Sequence, residues 1–190
     1  MREHTDKARE RGFTLIELLV YMMLFGLVLA IAGAMMINTM KTSKTVTSVT
    51  DASNAGQLVA HSIEKGIRNS SDFLLTSPAG NDQFLVARTA LSGTTLTWAC
   101  AAWYYSADGD GSIRYTTSGS VITAPDAATL ATWTLLDNGI KPASGTTIFS
   151  SNGEQLFIAF HSTAGDHPPV AISSSVRSRA GALGSPACYN

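Results

Sequence analysis

The chain has 190 residues, a formal net charge of −1 at pH 7 and 45% hydrophobic residues. A chain of this length accommodates one modest folded domain in addition to a membrane segment. The near-neutral charge gives no sign of a strongly basic surface, so composition argues against a role in binding nucleic acid.

The first twelve residues, 1–12, form a short polar leader that ends in Arg11 and Gly12. A secretory signal places its small-residue cleavage site after the apolar region, but nothing like Ala-x-Ala cleanly closes the apolar run of this chain. A small residue, Gly12, precedes that run instead. Cleavage after Gly12 would retain the apolar segment and give Phe13 a free amino terminus.

The apolar run covers residues 13–37 and is interrupted only by Thr14, Glu17 and the phenol of Tyr21. It contains no proline. About 20 apolar residues are enough for a helix to cross a hydrocarbon core of about 30 Å, and a run that is apolar on all sides suits lipid. The sequence therefore predicts a membrane-spanning helix. Basic residues are more numerous before the helix than just after it, which places the leader in the cytoplasm and the rest of the chain outside.

Glu17 is the anomaly in this run. A carboxylate at the centre of a spanning helix costs about 2.5–3.5 kcal/mol on insertion scales, although the cost is lower near a helix end. In one interpretation, the Glu17 side chain simply reaches the lipid headgroups. In the other, it pairs with a positive charge, because an amino terminus at Phe13 would lie four residues away on the same helical face and would be mostly cationic at neutral pH.

The segment Arg11–Val20, with the sequence RGFTLIELLV, resembles the prepilin-type cleavage and methylation motif of type IV pilins and type II secretion pseudopilins. The resemblance implies that a prepilin peptidase cleaves after Gly12 and N-methylates Phe13. It also implies that Glu17 neutralises the amine of a neighbouring subunit during filament assembly. The resemblance is strong over about residues 9–37 and weaker beyond them.

A helical periodicity continues through residues 38–70, where the composition changes to Ser, Thr and small residues. Positions spaced by three or four residues are apolar or small: Val46, Val49, Ser53, Gly56, Val59, Ala60, Ile63 and Ile67. Gly56 and Gly66 each weaken a helix by about 1 kcal/mol relative to Ala, and Ser and Thr are also poor helix formers. This half of the helix is therefore expected to need packing against a folded domain. The polar run 69–72 predicts its end.

From residue 73 onward, short apolar runs alternate with turn residues, which predicts an antiparallel β domain. The predicted strands are Phe84–Ala87, Thr94–Cys100, Trp103–Ser106, Ile113–Thr117, Trp133–Leu136, Ile148–Ser150, Leu156–His161 and Val170–Val176. Turns are predicted at 92–93, 108–111, 137–139 and 151–153. Asp126 is expected to cap a short helical turn over Ala127–Ala131.

These patterns predict an α+β fold, in which a long N-terminal helix packs against an antiparallel β-sheet head and the first half of the helix spans the membrane. This architecture is similar to that of type IV pilins. The predicted segments are the leader 1–12, the transmembrane and assembly helix 13–37, the extracytoplasmic half of the same helix 38–70, and the β-rich head 71–190.

Cys100 and Cys188 both fall in the predicted head. An extracytoplasmic head favours a disulfide that ties the C-terminal region back to the sheet. Two free buried thiols are the alternative.

Asp108 and Asp110 form the only metal-like string, because alternate carboxylates can converge on calcium. No Glu closes such a loop twelve residues from Asp108, so a hairpin turn rich in Asp and Gly is the favoured interpretation, and no metal or other cofactor is predicted. His161, Asp166 and His167 are a weaker candidate group, next to two prolines that predict an exposed loop. The aromatic residues of the head, Trp98, Trp103, Tyr104, Tyr105, Tyr115 and Trp133, are expected to form sheet core.

The residues together predict a structural protein with no catalytic constellation. The sequence around Tyr104 and Trp133 and the strand ending at Val176 resemble J-type minor pseudopilins and W-type minor pilins. The absence of proline from the apolar segment also favours a minor subunit that primes or tips a filament. The expected partners are prepilin peptidase, other pilins or pseudopilins and the inner or cytoplasmic membrane.

The sequence leaves open whether the filament is a pilus, a secretion pseudopilus or a competence filament, and it does not identify a ligand of the head. The rival interpretation is an anchored surface binding protein, either an adhesin or a DNA-uptake receptor. An anchored enzyme has the least support, because no reactive side chain has a partner in the sequence.

Overall fold

A computed structural model of the chain describes residues 14–91, 95, 97–179 and 187–189. It divides into two compact units, Met1–Thr45 and Val46–Asn190. The described residues contain the helices α1, Leu15–Arg68, and α2, Ala127–Thr132. Their strands are β1 Ser70–Thr76, β2 Gln83–Leu91, β3 Thr97–Ser106, β4 Ser112–Ser118, β5 Thr134–Asn138, β6 Ile140–Pro142, β7 Phe149–Asn152, β8 Gln155–Ala164 and β9 His167–Arg177. This is the predicted α+β fold.

The part of α1 in the first unit exposes its apolar side chains. Leu15 and Ile16 are 84% and 71% exposed, and the large apolar residues that follow as far as Met40 are exposed as well. By length and composition, α1 is the one helix in the described part of the chain that is able to cross a membrane, and its apolar window is not buried within the chain. The predicted spanning segment is therefore present as a helix, and none of the described residues buries its apolar window.

The Ser- and Thr-rich stretch that follows remains helical despite its low propensity. Thr39, Thr42 and Thr45 each donate a hydroxyl hydrogen bond to the carbonyl oxygen four residues earlier, at 2.9, 3.0 and 3.1 Å. Such bonds satisfy the hydroxyl groups within the helix, where they would otherwise compete with the helical backbone.

In the second unit, α1 packs against the sheets through a narrow stripe of buried side chains. Val59, Ile63 and Ile67 are fully buried, as the periodicity predicted, whereas Val46 is exposed. Gly66 lies directly under the ring of Trp103, because a Cβ at Gly66 would be only 2.1 Å from Trp103 Cη2. The glycine that weakens the helix in isolation thus leaves the space that the Trp103 ring occupies against the helix.

Two antiparallel sheets make up the β structure of this unit. The first sheet has the order β1-β2-β3-β4-β5, in which each strand pairs with the next along the chain. In the second sheet, β8 is central: β6 and β7 pair with successive parts of one of its edges, and β9 pairs with the other edge along almost its whole length.

Strands β2 and β3 of the first sheet are buried on both faces. Alternate residues of β3 therefore enter two different cores: Trp103 and Tyr105 belong to the main core, and Cys100 and Tyr104 to the second core. The main core is shared by α1 and both sheets; its helix members are Val59, Ile63 and Ile67. The second core is covered by residues from the α2 region and from the C-terminal segment, namely Ile122, Leu130, Trp133, Cys188 and Tyr189.

Cys100 and Cys188 form a disulfide, with a Cα–Cα distance of 5.3 Å and a sequence separation of 88 residues. Both side chains are fully buried in the second core. Cross-linking a loop of this length is worth about 4–5 kcal/mol in the chain-entropy model. The bond attaches residues 187–189 to the centre of the first sheet.

Most predicted strands are present, but two of them are merged, two observed strands were not predicted, and one predicted loop is part of a strand. β3 is one strand where two were predicted, and the turn at 92–93 and residues 94 and 96 lie outside the described residues. β1 and β6 were missed, because β1 opens with three polar residues and β6 is only three residues long. The run 69–72 does end α1, but it leads at once into β1. Pro168 and Pro169 lie in β9 rather than in a loop, at the edge of the sheet where proline is tolerated.

Asp126 caps α2 as predicted. Its carboxylate accepts a hydrogen bond from Thr129 N at 2.8 Å. Hydrogen bonding from the side chain of Thr129, and then from its backbone, lowers the pKa of the Asp126 carboxyl. The turns predicted from Asn-Gly and Asp-Gly pairs are also present. Gly109, Gly111, Gly139 and Gly153 all have positive φ, a conformation that glycine adopts without steric cost.

Candidate functional site

Thr14 caps the N-terminus of α1. The helix begins at Leu15, and the backbone N–H of Glu17 donates to Thr14 Oγ1 at 3.3 Å and to Thr14 O at 3.0 Å. Thr14 and Glu17 have the Thr-x-x-Glu spacing of a capping box, a signal that is readable from the sequence. The spacing places an acidic residue in the first turn, where the helix dipole favours negative charge.

Glu17 projects from an apolar helix surface. Its carboxylate accepts a hydrogen bond from the hydroxyl of Tyr21, with 3.3 Å between Tyr21 Oη and Glu17 Oε1. Among the described residues, Glu17 forms no ion pair. Gly12 and Phe13, the predicted cleavage and methylation residues, lie outside the described residues, so the pairing of Glu17 with an amine stays a prediction.

Residues 7–33 match the model of the prokaryotic N-terminal methylation motif. The matched segment contains Gly12, Phe13 and Glu17 and continues into the exposed apolar surface of α1. This motif is a prepilin-type signal, and it supports a type IV pilin-like or pseudopilin-like role. It implies processing by a prepilin peptidase and assembly with other pilins into a filament. Proteins with this motif are structural rather than catalytic.

No curated protein and no solved structure shows significant similarity to the chain.

Asp108 and Asp110 lie in the turn between β3 and β4, as the hairpin interpretation predicted. The N–H of Gly111 donates to Asp108 O at 3.0 Å and closes the turn. Lys141 Nζ donates to the carbonyl oxygen of Gly109 at 2.6 Å, so a lysine ammonium group already contacts this turn. The described residues contain no group of three or more His, Cys, Asp or Glu side chains placed to hold a metal ion.

His161, Asp166 and His167 belong to the β8–β9 hairpin. His161 lies in β8 and is paired with Ala171, and Asp166 occupies the turn that leads to His167 at the start of β9. The three residues are thus distributed along two strands and a turn, and the structure does not bring them together as a metal site.

Two tyrosines with raised pKa values, Tyr104 and Tyr189, donate hydrogen bonds to carboxylates. Burial, followed by a hydrogen bond to Asp82, raises the pKa of Tyr104, whose hydroxyl donates to Asp82 Oδ2 at 2.7 Å. The other oxygen of Asp82 accepts from Ala107 N at 2.7 Å, so this carboxylate holds the end of β3. Burial and a hydrogen bond to Asp72 likewise raise the pKa of Tyr189. Both shifts favour the neutral phenol.

Four of the six aromatic residues predicted to form sheet core are buried in it, Tyr115 is half-buried and packs against the main core, and Trp98 is half-buried and belongs to neither core. Trp103, Tyr104, Tyr105 and Trp133 are at most 8% exposed. The indole N–H of Trp103 donates to Ser62 Oγ at 3.0 Å, which attaches the ring to α1. These side chains hold the second unit together.

Proposed function

We propose that this chain is a minor pilin or pseudopilin. It is inserted in the inner or cytoplasmic membrane, cleaved after Gly12, N-methylated at Phe13 and assembled into a type IV pilus-like filament that it primes or tips. The observation that carries the proposal is the methylation motif at residues 7–33, which leads directly into the first part of α1, whose apolar side chains are exposed in the described part of the chain. An exposed apolar surface of this extent requires lipid or other apolar helices around it.

The placement outside the cytoplasm is supported by the disulfide. Disulfides persist in oxidising compartments and are rare in the cytosol. The Cys100–Cys188 bond therefore supports an extracytoplasmic head and a cytoplasmic leader, with the assembled protein on the cell surface or in the periplasm.

The minor role is supported by two features of the chain. Residues 13–37 contain no proline, unlike many major pilins, and α1 is a regular helix through Gly26 and Gly33. The second unit contains two sheets and a second core. This head is similar to the larger heads of J-type and W-type minor subunits.

A surface binding protein with the same anchor is a second candidate function. It is favoured by a cavity of about 480 Å³ in the second unit, between the end of α1 and the first sheet. Lys65, Asn69 and Tyr115 line this cavity together with the indole of Trp103. Such a protein would retain its binding activity after Glu17→Ala, whereas a filament subunit would lose its incorporation.

Cleavage after Gly12 is tested by Gly12→Leu in cells that contain a prepilin peptidase. We expect the wild-type chain to shorten by its leader and the Gly12→Leu chain to remain as the full-length precursor, because the residue before the scissile bond must be small. The measurement is the ratio of precursor to mature chain on an immunoblot.

Gly26→Leu is the matched control. It makes the same Gly→Leu exchange within the apolar segment that follows the leader, at a position where no atom beyond the helix's own backbone lies within 4 Å of an added Cβ. This variant should be cleaved like the wild type. Processing of Gly12→Leu at the wild-type rate would contradict the proposed cleavage site.

A further inference from the structure

Tyr21 is the residue best placed to bind Glu17 within the apolar part of α1. The two residues are four positions apart, so their side chains lie on one face of the helix and one turn apart. The Tyr21 hydroxyl donates to Glu17 Oε1 at 3.3 Å. From Leu15 to Ile37, the sequence contains no other side chain with an N–H or O–H donor.

The surroundings make this single donor important. Further along α1, the neighbours of the pair include Leu18 and Phe25, which are apolar and 51% and 65% exposed, so they would be surrounded by lipid or by other helices. Neither environment supplies water to a carboxylate, and a polar group without a partner is costly there. Low polarity also strengthens the hydrogen bonds that do form.

We propose that Tyr21 is a positioning residue for Glu17. Its hydroxyl holds Oε1 before processing, when Phe13 has no free amine, and keeps the carboxylate on the Tyr21 face of α1 afterwards. A carboxylate has two oxygens and about four acceptor positions, so Oε2 is left to accept the charged amine of an incoming subunit. This inference rests on the proposed function, because it assigns a purpose to the orientation of Glu17.

Tyr21→Phe tests the inference, because it removes the hydroxyl and keeps the ring. We expect normal cleavage of the leader and an incorporation into filaments that is lower by about three- to tenfold, the range that one hydrogen bond in a membrane supports. The measurement is the amount of mature chain in sheared filaments relative to the membrane pool, quantified against a dilution series. Thr39→Val is the matched control; it removes a hydroxyl of the same helix that binds only a backbone carbonyl at 2.9 Å, and it should assemble normally.

A double-variant cycle distinguishes positioning from general packing. Glu17→Asp keeps the charge but shortens the side chain by one methylene group, which draws the carboxylate away from the Tyr21 hydroxyl. We expect this variant to resemble Tyr21→Phe, and we expect Tyr21→Phe to change incorporation by less than about twofold in the Glu17→Asp chain, because neighbouring residues that act together are non-additive.

Two results would overturn the inference and leave the proposed function intact. One is wild-type incorporation of Tyr21→Phe while Glu17→Ala is lost from filaments. The other is an equal loss from Tyr21→Phe in the wild-type and Glu17→Asp chains, which would mean that the hydroxyl acts on another group. If the wild-type chain is absent from filaments, the proposed function fails, and this inference fails with it.

Discussion

Replacing Glu17 with alanine should leave leader cleavage intact and lower the amount of chain in filaments by at least about tenfold. Glu17 would face the charged amine of Phe13 in a neighbouring subunit, within a bundle of apolar helices. Removing one partner of a buried ion pair typically costs 3–5 kcal/mol, because the other charge is left uncompensated in a medium of low polarity. Even about 1.4 kcal/mol corresponds to a factor of ten in an equilibrium constant.

The control for this variant is Glu154→Ala. Glu154 is a carboxylate of the head whose side chain is 75% exposed, and its ion pair with Arg177 at 3.7 Å is solvated. An exposed ion pair of this kind contributes little to the stability of the fold, so the Glu154→Ala chain should be cleaved and assembled like the wild type. Both variants are compared by the ratio of precursor to mature chain and by the amount recovered in sheared filaments. Incorporation of Glu17→Ala at the wild-type level would refute the charge-pair model of assembly.

Replacing Gln83 with methionine should lower the free energy of unfolding of the head by about 3–5 kcal/mol. Gln83 is 3% exposed and connects the two sheets. Its Nε2 donates to Phe149 O at 2.9 Å, and its Oε1 accepts from Ile148 N at 2.7 Å and from Phe149 N at 2.9 Å. Methionine has a similar size but leaves these three backbone groups without their partner, and each buried group left unsatisfied costs about 1–3 kcal/mol.

Gln155→Met is the matched control, because it makes the same exchange at a position where the glutamine forms a single exposed hydrogen bond. Gln155 Nε2 donates to the hydroxyl of Ser175 at 3.3 Å in an exposed part of the second sheet. This change should alter the free energy of unfolding by less than about 0.5 kcal/mol. Urea titration of the full chain in detergent, monitored by tryptophan fluorescence, measures both variants. Equal unfolding midpoints for Gln83→Met and Gln155→Met would show that Gln83 does not hold the sheets together.

The sequence predicts the local features of this protein well. The apolar run, the turn at Asn138–Gly139 and the cap at Asp126 each depend on residues only a few positions apart, so their chemistry is readable without a structure. The same holds for the prepilin motif, whose recognition depends on Gly12, Phe13 and Glu17 and on the apolar residues that follow. The Thr14–Glu17 capping box and the Tyr21 donor were equally readable, because both follow from helical spacing.

The remaining features depend on contacts that are distant in sequence. The role of Gly66 is decided by the Trp103 ring, and the role of Gln83 by the backbone of Phe149. The sequence does not distinguish Gly26, which has no neighbour within 4 Å of an added Cβ, from Gly66, which lies under an indole ring. The sharing of one edge of β8 by β6 and β7 is also a matter of non-local pairing, and no turn signal indicates which strands join which sheet.

The central claim is that the chain becomes a filament subunit only after cleavage at Gly12, and the mass of its N-terminal peptide in sheared filaments tests this most directly. We predict a peptide that begins at Phe13 and carries one additional methyl group on its amino nitrogen. A filament-bound chain that still begins with the leader, or that begins at another residue, would contradict the account.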